Sequence, residues 1–203
     1  LFLDQSESMN YAHDGGMSKF DYAATGCASL AYLIQQQADA VGLSLFDEKV
    51  VKQIPPSNTR QGLGNLFGAL EAAKTRQQKT KVGAVLHELA AQLRQRGMVL
   101  IFSDLFDQPD EVLKGLREIA SRGHDIVVFH VLDRDEVEFP FERMTLFEGL
   151  EQMPELLCDP KSLRDAYLAE VEGFADQIRK GCLAQRIDYV RVVNNHPLDD
   201  LKP

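Results

Sequence analysis

Five stretches of this chain are apolar on almost every residue, and segments with helical spacing or turn signals separate them. They are Leu1-Phe2-Leu3, Ala40 to Phe46, Met98 to Phe102, Ile126 to Leu132 and Ile187 to Val193. A strand with one wet face alternates apolar and polar residues. Runs without alternation suit strands buried on both faces, as in a parallel sheet covered by helices.

The intervening segments carry the helical period. From Ser18 to Gln37, Phe20, Ala23, Cys27, Leu30 and Ile34 recur every three or four residues, with Ser18 as N-cap. Gln61 to Ala73 predicts a short helix through Leu63, Leu66, Phe67 and Leu70. Thr80 to Arg96 carries Val82, Val85, Leu86, Leu89 and Leu93 on one stripe, with Gly97 as its stop. Pro109 opens a helix through Arg122, followed by Gly123. Asp159 caps another that starts at Pro160 and steps through Leu163, Tyr167, Val171, Phe174, Ile178 and Cys182. Val50 to Ile54 reads as a short edge strand after a tight turn at Asp47-Glu48, stopped by Pro55-Pro56. Strands alternating with helices define a doubly wound α/β fold: a mostly parallel central sheet flanked by helices, with one short antiparallel edge strand.

Composition narrows the function. The 203 residues include 31 acidic and 22 basic side chains, a formal charge of −9, and 44% are hydrophobic. A sequence pI near 5.0 lacks the basic footprint of a nucleic-acid binder or of a helix docked on anionic lipid. No apolar run reaches the ~18 residues of a membrane span. Cys27, Cys158 and Cys182 form no Cys-x-x-Cys pair, so a disulfide framework or cysteine zinc site is not expected. Reduced cysteines favour a cytoplasmic location.

Ligands of doubly wound sheets bind beyond the carboxyl ends of the strands. After the first run comes Asp4-Gln5-Ser6-Glu7-Ser8-Met9, a carboxylate and two hydroxyls at alternate positions. Such oxygen ligands suit Mg²⁺ or Mn²⁺ when the loop wraps round the ion. After the third run comes Ser103-Asp104, and a crossover that sets the two strands side by side would bring Asp4 and Asp104 to one crevice. Thr80 offers a hydroxyl from another loop, or simply caps its helix.

These residues resemble the metal-ion-dependent adhesion site of a von Willebrand factor A domain. Further stretches (Ser18 to Ala23, Gln37 to Leu43, Ser121 to Asp133, Glu136 to Phe141 and Asp188-Tyr189) are similar to a bacterial family of von Willebrand-like proteins of unknown function, associated with MoxR-type AAA+ ATPases. The likeness covers nearly the whole chain. It implies direct ligation of Mg²⁺ or Mn²⁺ by Ser6 and Ser8, with Asp4 and Asp104 acting directly or through water. Thr80 would be the hydroxyl from the second loop. Related domains often carry Gly-Gly before that threonine and this chain has Gln78-Lys79, so Thr75 is the fallback. A coordination position would remain for a partner's acidic side chain. The resemblance implies a non-enzymatic protein-interaction module working with a MoxR-type AAA+ ATPase, chaperone-like, in assembling or activating a protein complex. Residues 1–203 are then one von Willebrand factor A-like domain. A strand at Leu1 and an unfinished helix at Pro197 to Leu201 make truncation at both ends the expectation.

An alternative is a metal-dependent phosphohydrolase of the haloacid dehalogenase type, which also places an aspartate, here Asp4, after its first strand. Its general acid two residues on should be Asp, and Ser6 is a poor proton donor. Asp133 to Glu138 reads as a solvated acidic loop in preference to a second cation site. Between Asp133 and Glu155, eight acids against two bases give −6, a local acidic surface on the metal-site side. Phe139-Pro140-Phe141 is read as a folded-back anchor, His130 as a core histidine and His13 as a loop residue worth testing. No phosphate loop or Gly-x-Ser-x-Gly elbow is present.

Overall fold

A computed structural model describes residues 1–75, 81–143, 145–147 and 156–194, with backbone alone for 145–147 and 156–158. Every apolar run becomes a strand of one sheet. The strands are β1 (Phe2–Asp4), β2 (Val41–Phe46), β3 (Val50–Ser57), β4 (Met98–Ser103), β5 (Asp125–Leu132) and β8 (Asp188–Val193), in the order β3-β2-β1-β4-β5-β8. All neighbours are parallel except β3, which runs antiparallel to β2. A small antiparallel pair, β6 (Thr145–Phe147) and β7 (Leu156–Cys158), lies apart from it.

Alternate residues of each central strand face opposite layers. Leu3, Leu45, Phe102 and Phe129 pack with α1 (Lys19–Gln36) and α2 (Arg60–Ala72). Phe2, Phe46, Ile101 and Val128 pack with α3 (Val82–Gln92), α4 (Pro109–Ser121) and α6 (Pro160–Ala184). Phe102 and Phe129, paired across β4 and β5, stack with centroids 4.4 Å apart. The helix ends follow the predicted chemistry. Ser18 accepts from Asp21 N–H, Asp159 from Lys161 N–H, and Gly123 ends α4 at φ +84°.

Three expectations change. The edge strand continues through Pro55 and Pro56 to Ser57, because proline's missing donor costs nothing on an edge that faces no further strand. Gly42 makes room opposite, where an added Cβ would lie 2.8 Å from Ile54 O and 2.9 Å from Pro56 N. Helix α3 stops at Gln92, short of Gly97, and its first turn is capped from afar by Asp107, which accepts Gly83 N–H at 3.0 Å. The last strand is an edge, so most of β8 is only half-buried. The predicted helix at Pro197 to Leu201 lies outside the described residues.

Helices α3 and α4 touch through glycine. A Cβ on Gly83 would sit 2.7 Å from Glu111 C and O, and one on Gly115 2.7 Å from Leu86 Cβ. The obstruction at Gly83 is backbone and cannot rotate away. Gly83→Ala is therefore expected to lower unfolding free energy by about 2 kcal/mol despite the gain in helix propensity, read as a reduced urea midpoint.

Candidate functional site

The site is built where β1 and β4 end side by side. The pairing of Leu3 with Phe102 puts Asp4 beside Ser103, whose Oγ donates to Asp4 Oδ2 at 2.6 Å. The chain then turns tightly. Ser6 N–H donates to Asp4 Oδ1 at 2.9 Å, Ser6 Oγ lies 3.2 Å from Ser8 Oγ, and Ser8–Asn10 forms one helical turn anchored by fully buried Met9. The Ser8 hydroxyl is near enough to Asp104 to favour the charged form of that carboxylate. The serine–carboxylate spacing thus produces one buried oxygen cluster of Asp4, Ser6, Ser8 and Asp104.

Beyond β4 the backbone is held in an unusual turn. Leu105 has φ +56° although it carries a fully buried side chain. Its N–H donates to Ser103 Oγ at 2.9 Å, and Phe106 N–H donates to Asp104 Oδ1 at 3.2 Å. Positive φ at a branched residue costs energy and persists only where surroundings enforce it. Here it aims Asp104 back at the first loop and leaves Phe106 64% exposed on the rim.

Electrostatics separate the two carboxylates. Burial, then the neighbouring Asp104, raises the Asp4 pKa to about 7 against the opposing bonds from Ser103 and Ser6. Burial opposes the charge of Asp104 too. The Lys19 ammonium, the Ser8 hydroxyl and Phe106 N–H outweigh it and hold Asp104 below the ordinary carboxylate range.

Lys19 was not anticipated from sequence. It occupies the first position of α1 and is 1% exposed, with Nζ 2.8 Å from Asp104 Oδ2 and 2.7 Å from Glu136 Oε1. A cation at the positive end of a helix is unfavourable unless carboxylates compensate it. A lysine directly after the Ser18 cap was therefore the available signal.

Thr80 lies outside the described residues. Thr75, half-buried after α2, forms none of the cluster's hydrogen bonds given above. Among the described residues no three or more His, Cys, Asp or Glu side chains gather as a metal centre. A cation at this site would rest on serine hydroxyls with two carboxylates. That donor set fits Mg²⁺ or Mn²⁺, since both favour hard oxygen ligands.

The acidic stretch after β5 is corrected. It is a short helix, α5 (Arg134–Glu138), and Asp133 and Asp135 are buried structural groups, not solvated charges. Asp133 accepts from Asp135 N–H, His13 N–H and Asn194 Nδ2, while its own N–H donates to Glu136 Oε2. Asp135 accepts from Tyr11 Oη at 2.7 Å and lies 2.7 Å from His13 Nδ1. These bonds clamp the loop after β1 to the loop after β5. Within the stretch, then, Asp133 and Asp135 do not contribute to an acidic surface; Glu148, Glu151 and Glu155 lie outside the described residues. Phe139 is buried against Phe141 and Tyr167, as an anchor should be.

His130 is a core residue, with Nδ1 2.6 Å from Tyr189 Oη. Burial, with Lys19 and Arg191 acting the same way and Asp104 opposing, lowers its pKa to about 4. The unfolded chain takes up this proton below pH ~6.5 and the folded chain only near 4, so stability is full above 6.5 and falls on acidification between those values. From pH 7 to 5 this histidine is expected to remove about 2 kcal/mol. Urea denaturation should show that slope in wild type and lose that share of it in His130→Gln.

The strand order and the antiparallel edge give the domain a doubly wound, von Willebrand factor A-like fold. The chain belongs to the DUF58 family, described as a protein of unknown function, which matches residues 1–174. It is similar in structure to the conserved hypothetical protein BatB from Bacteroides thetaiotaomicron, with TM-score 0.64, 19% identity, and coverage of 96% of this chain and 89% of that one. An aerotolerance-related membrane protein from Bacteroides fragilis, with multiple mutations to serine, matches with TM-score 0.61, 21% identity, and coverage of 94% and 89%. The VWA domain of SpRpn10 matches with TM-score 0.49, 11% identity, and coverage of 97% and 88%. No curated protein matches the chain. None of these relatives points to a haloacid dehalogenase phosphohydrolase.

The expected cytoplasmic location is corrected. A fold neighbour is a membrane protein, so few cysteines and a missing apolar run do not assign such a domain to the cytoplasm. No described helix is long and apolar enough to cross a membrane.

Proposed function

We propose that this domain is a non-enzymatic protein-interaction module whose partner binds at a divalent cation held by Asp4, Ser6, Ser8 and Asp104. The observation that supports the reading is the convergence of these four oxygen-bearing side chains, buried together at the carboxyl ends of adjacent parallel strands. Thr80, two positions ahead of α3 in the sequence, is the proposed fifth donor. When bound, Mg²⁺ or Mn²⁺ would offer a Lewis-acidic position to a partner's carboxylate.

The residues around the cation prepare it. Ser103 and Ser6 N–H hold both Asp4 oxygens, the Leu105 turn fixes Asp104, and exposed Phe106 supplies an apolar contact beside the acidic ligand. By the family resemblance, the partner is a MoxR-type AAA+ ATPase, and the shared role is chaperone-like assembly or activation of a protein complex. The test is binding of purified MoxR-type ATPase to the immobilised protein in Mg²⁺ and in chelator. The reading expects affinity to fall at least about tenfold in chelator and in Ser6→Ala, a loss of ~1.4 kcal/mol or more. Binding indifferent to both changes would contradict it.

A further inference from the structure

A cation site of serines and carboxylates does not require a lysine, yet one is buried within it. Lys19 carries two unfavourable conditions at once, being desolvated and standing at the positive end of α1, and it pairs with Asp104, a proposed cation ligand. Two carboxylates offset these costs, Asp104 at 2.8 Å and Glu136 at 2.7 Å. Glu136 is itself fixed, because its other oxygen accepts Asp133 N–H in the cap of α5. The lysine is thus gripped between the loop after β4 and the helix after β5.

We propose that the Lys19 ammonium is the internal counter-ion of the strand-end cluster, holding Asp104 in place when no divalent cation is bound and lowering the cluster's affinity for one. The inference rests on the cation-site reading above. Two carboxylates, Asp104 and Glu136, face the single ammonium, so the ion-paired set keeps a net charge of −1 that still favours a divalent cation. Without the ammonium those two carboxylates carry −2, attract a divalent cation more strongly and repel each other more when the site is empty. Lys19 therefore trades affinity for a site that stays assembled in the absence of metal. A partner then meets a preformed loop, and cation and partner can exchange without collapse of the Asp104 turn.

The experiment is Mn²⁺ titration by electron paramagnetic resonance on wild type, Lys19→Met, Lys19→Arg and Glu136→Gln, with thermal melts in chelator and in Mn²⁺. Lys19→Met is expected to bind Mn²⁺ on the order of tenfold tighter than wild type. It should also melt lower in chelator and recover more on adding Mn²⁺. Lys19→Arg keeps the charge and should stay near wild type. Glu136→Gln, at a partly exposed position, should bind Mn²⁺ more weakly, and it decides the matter if Lys19→Met does not fold. A merely structural lysine would leave Lys19→Met with equal or weaker binding, and that result overturns the proposal, as does Glu136→Gln binding as well as wild type. If neither wild type nor Lys19→Met binds Mn²⁺, the cation-site reading fails and this inference with it. If wild type binds and Lys19→Met does not tighten, only the role of Lys19 is lost. Binding by Lys19→Met alone shows that the native cluster holds no cation, so the cation-site reading fails and this inference with it.

Discussion

Asp104→Ala is expected to lower the unfolding free energy of the metal-free protein by about 3 kcal/mol and to abolish divalent cation binding. The stability loss comes from Lys19. Removing one partner of a buried ion pair leaves an uncompensated charge and costs about 3–5 kcal/mol. Glu136 remains against the ammonium, which places this case at the lower end. The substitution also strands Phe106 N–H, which donates to Asp104 Oδ1, and frees the strained Leu105 turn. Asp104→Asn keeps an acceptor for that N–H and should destabilise less while still removing the charge. Guanidinium denaturation with chelator present separates the two variants. Equal stability of Asp104→Ala and wild type would show that the Lys19–Asp104 bond is not a buried pair in solution.

The second large effect is at Asp133. The sequence reading places this residue in a solvated acidic loop, for which Asp133→Ala would change stability by under ~0.5 kcal/mol. In the structure Asp133 is fully buried and receives three hydrogen bonds, from His13 N–H, Asp135 N–H and Asn194 Nδ2. Alanine would leave the His13 and Asp135 N–H groups without their acceptor, reduce Asn194 Nδ2 to its bond with Met17 O and remove the cap of α5, at about 1–3 kcal/mol for each buried orphan. Because His13 is partly exposed, water recovers some of that, and a total loss of about 3–4 kcal/mol is expected. The same variant should loosen the loop after β1, since the His13 clamp goes with it. Hydrogen exchange of residues Tyr11 to Gly16 measures this: faster exchange there, with the amides of β4 and β5 unchanged, is the expected pattern.

The difference between these two aspartates shows what the sequence makes legible. Asp4 and Asp104 could be read because each follows a continuous apolar run, and a parallel sheet puts such positions on one rim. Register then did the rest, since pairing of Leu3 with Phe102 makes Asp4 the neighbour of Ser103. Asp133 stands in the same kind of position, but surrounding charges made it look solvated. Its partners, His13 and Asn194, are 120 and 61 positions away, and no local pattern announces them. Lys19 was missed because an amphipathic period marks only apolar positions, although its place at a helix N-terminus was a local contradiction worth following. The continuation of β3 through two prolines was hidden because proline's cost depends on whether a strand is an edge, a tertiary fact. The pair β6–β7 has only three residues in each strand, too few for period two to declare itself.

One titration tests the central claim most directly. Mn²⁺ is added to wild type, Ser6→Ala and Asp4→Asn, each shown to be folded by its thermal melt, and bound ion is followed by electron paramagnetic resonance. The account predicts one bound ion per chain in wild type and at least about tenfold weaker binding in both variants, a difference of ~1.4 kcal/mol or more. No binding by wild type, or equal binding by all three proteins, would contradict it.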